Sequence, residues 1–95
     1  MNKSIKKLWI KALRSGKFKQ TTGVLCDKTG YCCLGVLRSI MKPGDRQSYQ
    51  GYGSLLTVAQ RQQAGLRFDT CDSLADKNDA GFTFSQIADY IEARL

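Results

Sequence analysis

The sequence predicts an α+β fold: an N-terminal helix, a β-hairpin, then several short helices ending in a C-terminal amphipathic helix. Three observations favour it. Apolar residues near the start recur with helical spacing, a turn sequence separates two short β-prone segments, and a helix-capping pattern precedes a second apolar stripe near the end. The chain has 95 residues, no internal repeat and no low-complexity tract, so we expect a single domain over residues 1–95.

The N-terminal helix is predicted by an apolar stripe at positions i, i+3, i+4, i+7 and i+8, formed by Ile5, Leu8, Trp9, Ala12 and Leu13. We expect Asn2 or Ser4 to cap its first turn, because both side chains accept hydrogen bonds from free amides. Gly16 suits the left-handed position that ends a helix.

The hairpin is predicted from residues 21–26 and 31–34, which are rich in β-branched, aromatic and cysteine residues. Residues 27–30 form the expected turn, with Gly30 where a positive φ is needed. From Gly35 the apolar spacing becomes helical, and residues 42–44, a Lys-Pro-Gly sequence, are expected to stop that helix.

The second half is predicted as a loop over residues 45–54, a helix from a Thr57 cap to Ala64, and a stop at Gly65. Residues 66–70 are expected to be extended, 73–77 to form one helical turn and 78–81 a turn. Thr83 and Gln86 form a capping box for the last helix. Its predicted buried stripe consists of Phe84, Ile87, Ala88, Ile91 and Leu95.

The charge is unevenly distributed along the chain, whose formal net charge is +7. Residues 1–20 contain no acid and carry the cations Lys3, Lys6, Lys7, Lys11, Arg14, Lys17 and Lys19. Residues 51–95 have a small excess of acids. This polarity indicates an anionic partner for the N-terminal face, or a homo-oligomer held by unlike ends. The alternative is a solvated helix face that only keeps the protein soluble.

Several kinds of catalysis are excluded by composition. The chain has no histidine, so Ser-His-Asp and Cys-His arrangements and His-based metal motifs cannot form. The four cysteines, Cys26, Cys32, Cys33 and Cys71, contain no C-x-x-C pair, so we predict no zinc site and no cofactor, and expect buried thiols. A Cys33 thiolate at a helix N-terminus is an alternative nucleophile, but it lacks a general base. We therefore predict a protein that is not an enzyme.

The expected location is the cytoplasm, without membrane contact. No apolar run approaches the roughly 20 residues that cross a bilayer. The basic N-terminus has no apolar core of the kind that signal peptides contain.

A binding site is predicted where the first helix leads into the hairpin. Arg14, Lys17 and Lys19 supply charge for a phosphate, and Gln20 supplies a directional hydrogen bond. Tyr31, or alternatively Phe18, is placed to stack on a base. The signal is not specific, because most lysine-rich turns are simply solvated. The alternative is therefore a solvated turn with no ligand.

Three motifs resemble those of small uncharacterised proteins of tailed phages and prophages: W-x-x-A-L-R-S-G at residues 9–16, Y-C-C-L-G-V-L at 31–37 and N-D-x-G-x-x-F-x-x-I-A-D-x-I-E at 78–92. The resemblance weakens across residues 42–65, and Gln86 stands where that family often has Glu. It implies a phage accessory protein in the host cell, with an anti-defence context. It also adds Asn78 and Asp79 to the candidate ligand-binding residues, although Asn-Asp equally suits a turn.

Three hypotheses follow. The first is a non-enzymatic phage protein that binds an anionic small molecule, in its sharpest form a nucleotide-type defence signal. The second is a protein–protein inhibitor that docks on a host enzyme through Ile10, Phe18 or the loop at residues 49–52. The third is a nucleic-acid-binding protein that contacts duplex DNA through its basic first helix.

Overall fold

A computed structural model of the chain describes residues 1–23, 26–27, 29–41 and 56–95. Its described helices are α1 (Lys3–Arg14), α2 (Cys33–Met41), α3 (Val58–Ala64), α4 (Phe68–Asp79) and α5 (Phe84–Arg94). Two short strands, β1 (Cys26–Asp27) and β2 (Gly30–Tyr31), pair antiparallel between α1 and α2. The fold is therefore helix-rich, and the β part of the predicted α+β fold is reduced to this two-residue pairing.

Helix α1 begins and ends as predicted. The Asn2 side chain accepts a hydrogen bond from the amide of Ile5, and Gly16 has a φ of 75°. Trp9 and Leu13 are buried, but Leu8 is 55% exposed, so its predicted burial was wrong. The buried face is centred on Trp9, and Leu8, about 100° away around the helix, falls outside it.

The predicted strand over residues 31–34 was wrong in its second half, since α2 begins at Cys33. Residues Cys33 to Arg38 are all buried. A short helix that is buried on every side has no amphipathic period, so sequence patterns do not separate it from a buried strand.

Lys19, Gln20 and Thr21 run beside β2 in parallel. The amide of Tyr31 donates to the carbonyl of Lys19, and the amide of Thr21 donates to the carbonyl of Tyr31, both at 2.8 Å. A side chain at Gly30 would collide with the Lys19 carbonyl. The need for glycine at position 30 thus comes from this close approach as well as from the turn.

Helix α3 confirms its predicted cap and stop. Thr57 and Gln60 form a capping box, and Gly65 ends the helix in the left-handed region with a φ of 73°. Helix α4 corrects three predictions. Residues 68–70 are helical instead of extended, residues 73–77 belong to a twelve-residue helix, and Asn78 and Asp79 are its last residues instead of a turn.

The length of α4 was missed because its buried positions are not typical of an apolar stripe. They are Cys71, Leu74, Ala75 and Asn78. Their spacing is helical, but one is a polar amide and two are small, so the pattern carries little hydrophobic signal.

Helix α5 has the predicted capping box between Thr83 and Gln86. Its stripe is confirmed at Phe84, Ile87, Ala88 and Ile91, while Leu95 is only partly buried. Helix α1 packs against α5 and α2, and α4 packs against both α2 and α5. Each of the described helices thus contributes to one apolar cluster, with the fully buried Trp9 among its largest members.

The loop predicted at residues 45–54, with its Tyr49 and Tyr52, and the stop predicted at residues 42–44 lie outside the described residues. Among the helices that the structure does describe, none is both long and apolar enough to span a bilayer.

Candidate functional site

An open depression of about 590 Å³ lies along the exposed side of α1. Four cations line it, Lys7, Lys11, Arg14 and Lys17, and we call them the basic face. Ile10, Ser15 and Glu92 complete the lining. Helix α1 places the first three cations at successive turns, and the bend after Ser15 brings Lys17 round to them.

Arg14 is the one cation of the basic face whose charge is compensated by described acids. Its guanidinium lies 2.6 Å from a carboxylate oxygen of Asp89 and 3.2 Å from one of Glu92. The hydrogen bond to Asp89, followed by that to Glu92, raises the pKa of Arg14 further above its usual range. Arg14 therefore holds the end of α1 against α5.

Lys7, Lys11 and Lys17 are exposed, and no described acid forms an ion pair with them. The first turn of α1 also contains no acidic residue. The basic face consequently carries a net positive charge that other described side chains leave uncompensated, with Glu92 the single acid in its lining.

A second group of predicted residues, Gln20, Asn78 and Asp79, forms a polar node between the segment after α1 and the end of α4. Asn78 is fully buried. Its carbonyl oxygen accepts from the Gln20 amide at 2.9 Å and from the backbone amide of Cys33 at 3.2 Å, and its amide donates to the Thr21 carbonyl at 2.8 Å. Asn78 thus satisfies the first amide of α2 from another helix.

Gln20 and Asp79, the other two members of the node, also form hydrogen bonds that join the segment after α1 to the end of α4 and the segment that follows it. The Gln20 amide also donates to the carbonyl of Phe82 at 2.7 Å, and a carboxylate oxygen of Asp79 accepts from the amide of Gly23 at 2.9 Å. None of the node residues lines the basic face. The structure therefore separates the predicted ligand-binding set into a basic surface, with Arg14 and Lys17, and an internally bonded polar node.

Two predicted residues remain, Lys19 and Tyr31, and they lie on the two sides of the parallel contact: Lys19 belongs to the segment after α1, and Tyr31 belongs to β2. The Tyr31 ring packs edge-on against Phe18, with centroids 5.1 Å apart and planes at 85°. Both rings are partly buried against the core. The side chain of Lys19 is exposed, whereas its carbonyl accepts the Tyr31 amide.

A second open depression, of about 390 Å³, lies between α4 and α5 and was missed by sequence reasoning. Its lining consists of Asp69, Thr70, Ser73, Tyr90, Arg94 and Leu95. Lys77 and Arg94 lie over the Tyr90 ring, at 4.5 and 5.9 Å from its centroid. The spacing of Tyr90 and Arg94, one helical turn apart, was the available signal.

The three thiols whose surroundings the structure describes, Cys32, Cys33 and Cys71, are reduced and buried, as predicted. Burial raises the pKa of Cys32 to about 11, and it raises the pKa of Cys33 well above its usual range. This direction disfavours the alternative of a Cys33 thiolate at the helix N-terminus, because desolvation of the thiol outweighs the helix dipole. In the described residues no three acids or cysteines come together as a metal site.

We expect these three thiols to resist iodoacetamide in the folded protein at pH 8 and to react after unfolding in guanidinium, since alkylation requires an accessible thiolate. Peptide mass spectrometry measures each cysteine separately. Rapid labelling of Cys33 in the folded state would contradict its burial and its raised pKa.

Residues 1–72 match the model of a family described as a domain of unknown function. No curated protein and no solved structure matches the chain. The matched residues contain α1, both strands, α2, α3 and the first part of α4. They therefore include the whole basic face and every residue that lines its depression except Glu92.

Proposed function

This chain belongs to the DUF8296 family, a domain of unknown function, and we propose that it is a binding protein that holds a phosphate-bearing anion on its basic face. One observation carries this proposal. Lys7, Lys11 and Lys17 surround one open depression, and no described acid forms an ion pair with any of them. Because like charges brought together repel one another, such a surface gains stability when an anion binds.

The packing of α1 explains why these charges stay together. Trp9 and Leu13 anchor one side of the helix in the core, and the Arg14 contacts with α5 fix its end. These contacts fix the rotation of α1 about its own axis. Lys7 and Lys11, on the side of the helix that faces away from the core, therefore project in a fixed direction. An anion bound there meets charges that are already in place, which reduces the entropic cost of binding.

A nucleotide-type signal is the sharpest small-molecule form of this proposal. Its phosphates would contact the lysines, and Ile10 would offer apolar contact within the same lining. Tyr31 and Phe18 have no part in this form, because their rings pack on each other and do not line the depression. We further propose a non-enzymatic role, which the buried, protonated thiols favour.

The biological context that we propose is a phage accessory protein with an anti-defence role in the host cytoplasm. This step depends on the three motifs at residues 9–16, 31–37 and 78–92. Sequestration of an anionic signal is compatible with such a role, since it requires affinity and no chemistry.

Docking on a host protein is a second candidate function, and the exposure of Leu8 favours it. A large apolar side chain that is 55% exposed on the same helix as the lysines offers a protein contact that an anion does not use. Pull-down from host lysate with the wild type and with Leu8→Ser tests this candidate. A stoichiometric partner that Leu8→Ser retains fully would argue against docking through Leu8.

Anion binding is tested by isothermal titration with inorganic phosphate, ATP and a panel of cyclic nucleotides. We expect the double variant Lys7→Gln, Lys11→Gln to bind the best anion roughly tenfold more weakly, because two exposed charge contacts contribute about 0.2–1 kcal/mol each. Glu92→Gln is expected to bind it more tightly, since the single acid in the lining is removed.

Arg67→Glu is the matched control. It removes the same net charge as the double variant, but Arg67 is highly exposed and lies at the N-cap of α4, outside the basic face. An equal loss of affinity in both variants would show that only net charge matters. Flat titrations for every anion would overturn the proposal.

A further inference from the structure

The exposed lysines of α1 continue beyond the depression toward the start of the helix. Lys3, Lys7 and Lys11 are all exposed and follow one another at i, i+4 and i+8, so we call them the lysine row. With a rise of about 1.5 Å per residue, Lys3 and Lys11 are about 12 Å apart along the axis. The major groove of B-form DNA is about 12 Å wide, with a phosphate strand on each side.

From this match we propose that the basic face and the lysine row form a contact surface for the phosphate backbone of double-stranded DNA. In this arrangement Lys3 and Lys11 contact the two strands that flank the groove, and Lys7 lies midway between them. Lys17 lies beyond the end of α1, on the side of Lys11. This inference rests on the proposed anion-binding function and names its ligand class.

The open shape of the site favours a polyanion over a free nucleotide. Small-molecule sites are concave enough to bury most of the ligand, typically 70–90% of its surface. The depression on α1 is open to solvent along its length, so it covers one side of a ligand only. A surface of this shape suits a nucleic-acid backbone, whose phosphates continue on both sides of the contact.

The lining also favours a duplex over a single strand. Proteins that bind single strands stack bases on aromatic side chains, and no aromatic residue lines the depression. In A-form RNA the major groove is deep and narrow, so a row of side chains on a helix cannot enter it. The surface therefore fits the wider groove of B-form DNA.

The electrostatic setting of α1 agrees with this orientation. Residues 1–20 hold seven cations and no acid, and the positive end of the helix dipole lies beside Lys3. Asp89 and Glu92 contact Arg14 in the last turn of α1, and the guanidinium offsets one of their two charges. No described acid forms an ion pair with a member of the lysine row, so its three charges remain available to phosphate.

The proposal predicts sequence-independent binding with a strong salt dependence. Fluorescence anisotropy would be measured with two unrelated DNA duplexes, each about two helical turns long, between about 50 and 200 mM salt. Each phosphate contact contributes about 0.9 to the slope of log K against log salt. We expect Lys3→Gln, Lys11→Gln to reduce that slope by about 1.8 on both duplexes.

Arg67→Glu again matches the change in net charge and is expected to leave the slope unaltered, and thermal melts confirm that all three proteins are folded. Equal slopes in the wild type and the lysine variant would overturn the proposal, as would equal affinity for an RNA duplex. Binding of nucleotides without binding of DNA overturns the duplex inference and leaves the proposed function standing. Binding of neither overturns both.

Discussion

Replacing Asn78 by leucine is expected to lower the free energy of unfolding by about 2–5 kcal/mol, since each buried polar group left without a partner costs about 1–3 kcal/mol. Leucine has a similar size but leaves the amide of Cys33 and the carbonyl of Thr21 without the hydrogen bonds that Asn78 gives them. Urea denaturation measures the change. Asn78→Asp is also expected to destabilise, because it places a charge at a fully buried position next to Asp79.

The matched control is Gln63→Ala, which removes an exposed amide from α3 and is expected to change stability by less than about 0.5 kcal/mol. A leucine variant as stable as this control would mean that the polar node does not hold the fold together. The motif residues Asn78 and Asp79 would then be available as ligand contacts, as the sequence suggested. The structure instead accounts for them by the internal bonds of the node.

Replacing Trp9 by alanine is expected to cost about 3–5 kcal/mol, the range for removing a large buried aromatic side chain. Trp9 is fully buried, and its ring nitrogen donates to the carbonyl of Cys33 at 2.9 Å. The substitution therefore leaves a cavity between α1 and α2 and removes a hydrogen bond between them. Thermal unfolding by circular dichroism provides the measurement.

Leu8→Ala is the control for Trp9, since it truncates an exposed side chain on the same helix. We expect it to cost less than about 1 kcal/mol, in line with other surface substitutions. Similar losses for the two variants would contradict the orientation of α1, on which the position of the basic face depends. Trp9→Phe separates the two contributions, because it keeps most of the ring and loses the hydrogen bond.

The elements that the sequence predicted well are those with complete local signals. Helices α1, α3 and α5 each carry a cap residue at the start, and α1 and α3 also have a glycine just past the end. Helices α2 and α4 were predicted only in part, because contacts with distant segments decide which of their residues are buried and no local apolar pattern shows this. The first amide of α2 is capped by Asn78, which is 45 residues away and invisible to any local pattern.

The candidate site shows the same division. The cations of residues 1–20 were evident from composition, and the helical period placed several of them on one face. The sequence did not show which of these cations would form ion pairs with acids. The two acids that contact Arg14 lie 75 and 78 residues further along the chain. The roles of Gln20 and Asn78 likewise depend on a contact between distant segments.

The packing of α1 on α5 also constrains the order of events during synthesis. Helix α1 leaves the ribosome before α5, which carries the acids that hold Arg14. Until then the apolar side of α1 has only part of its cover, and its lysines are not held in a fixed orientation. Non-local contacts of this kind slow folding, so we expect the lysines of α1 to acquire a fixed orientation only after α5 has formed.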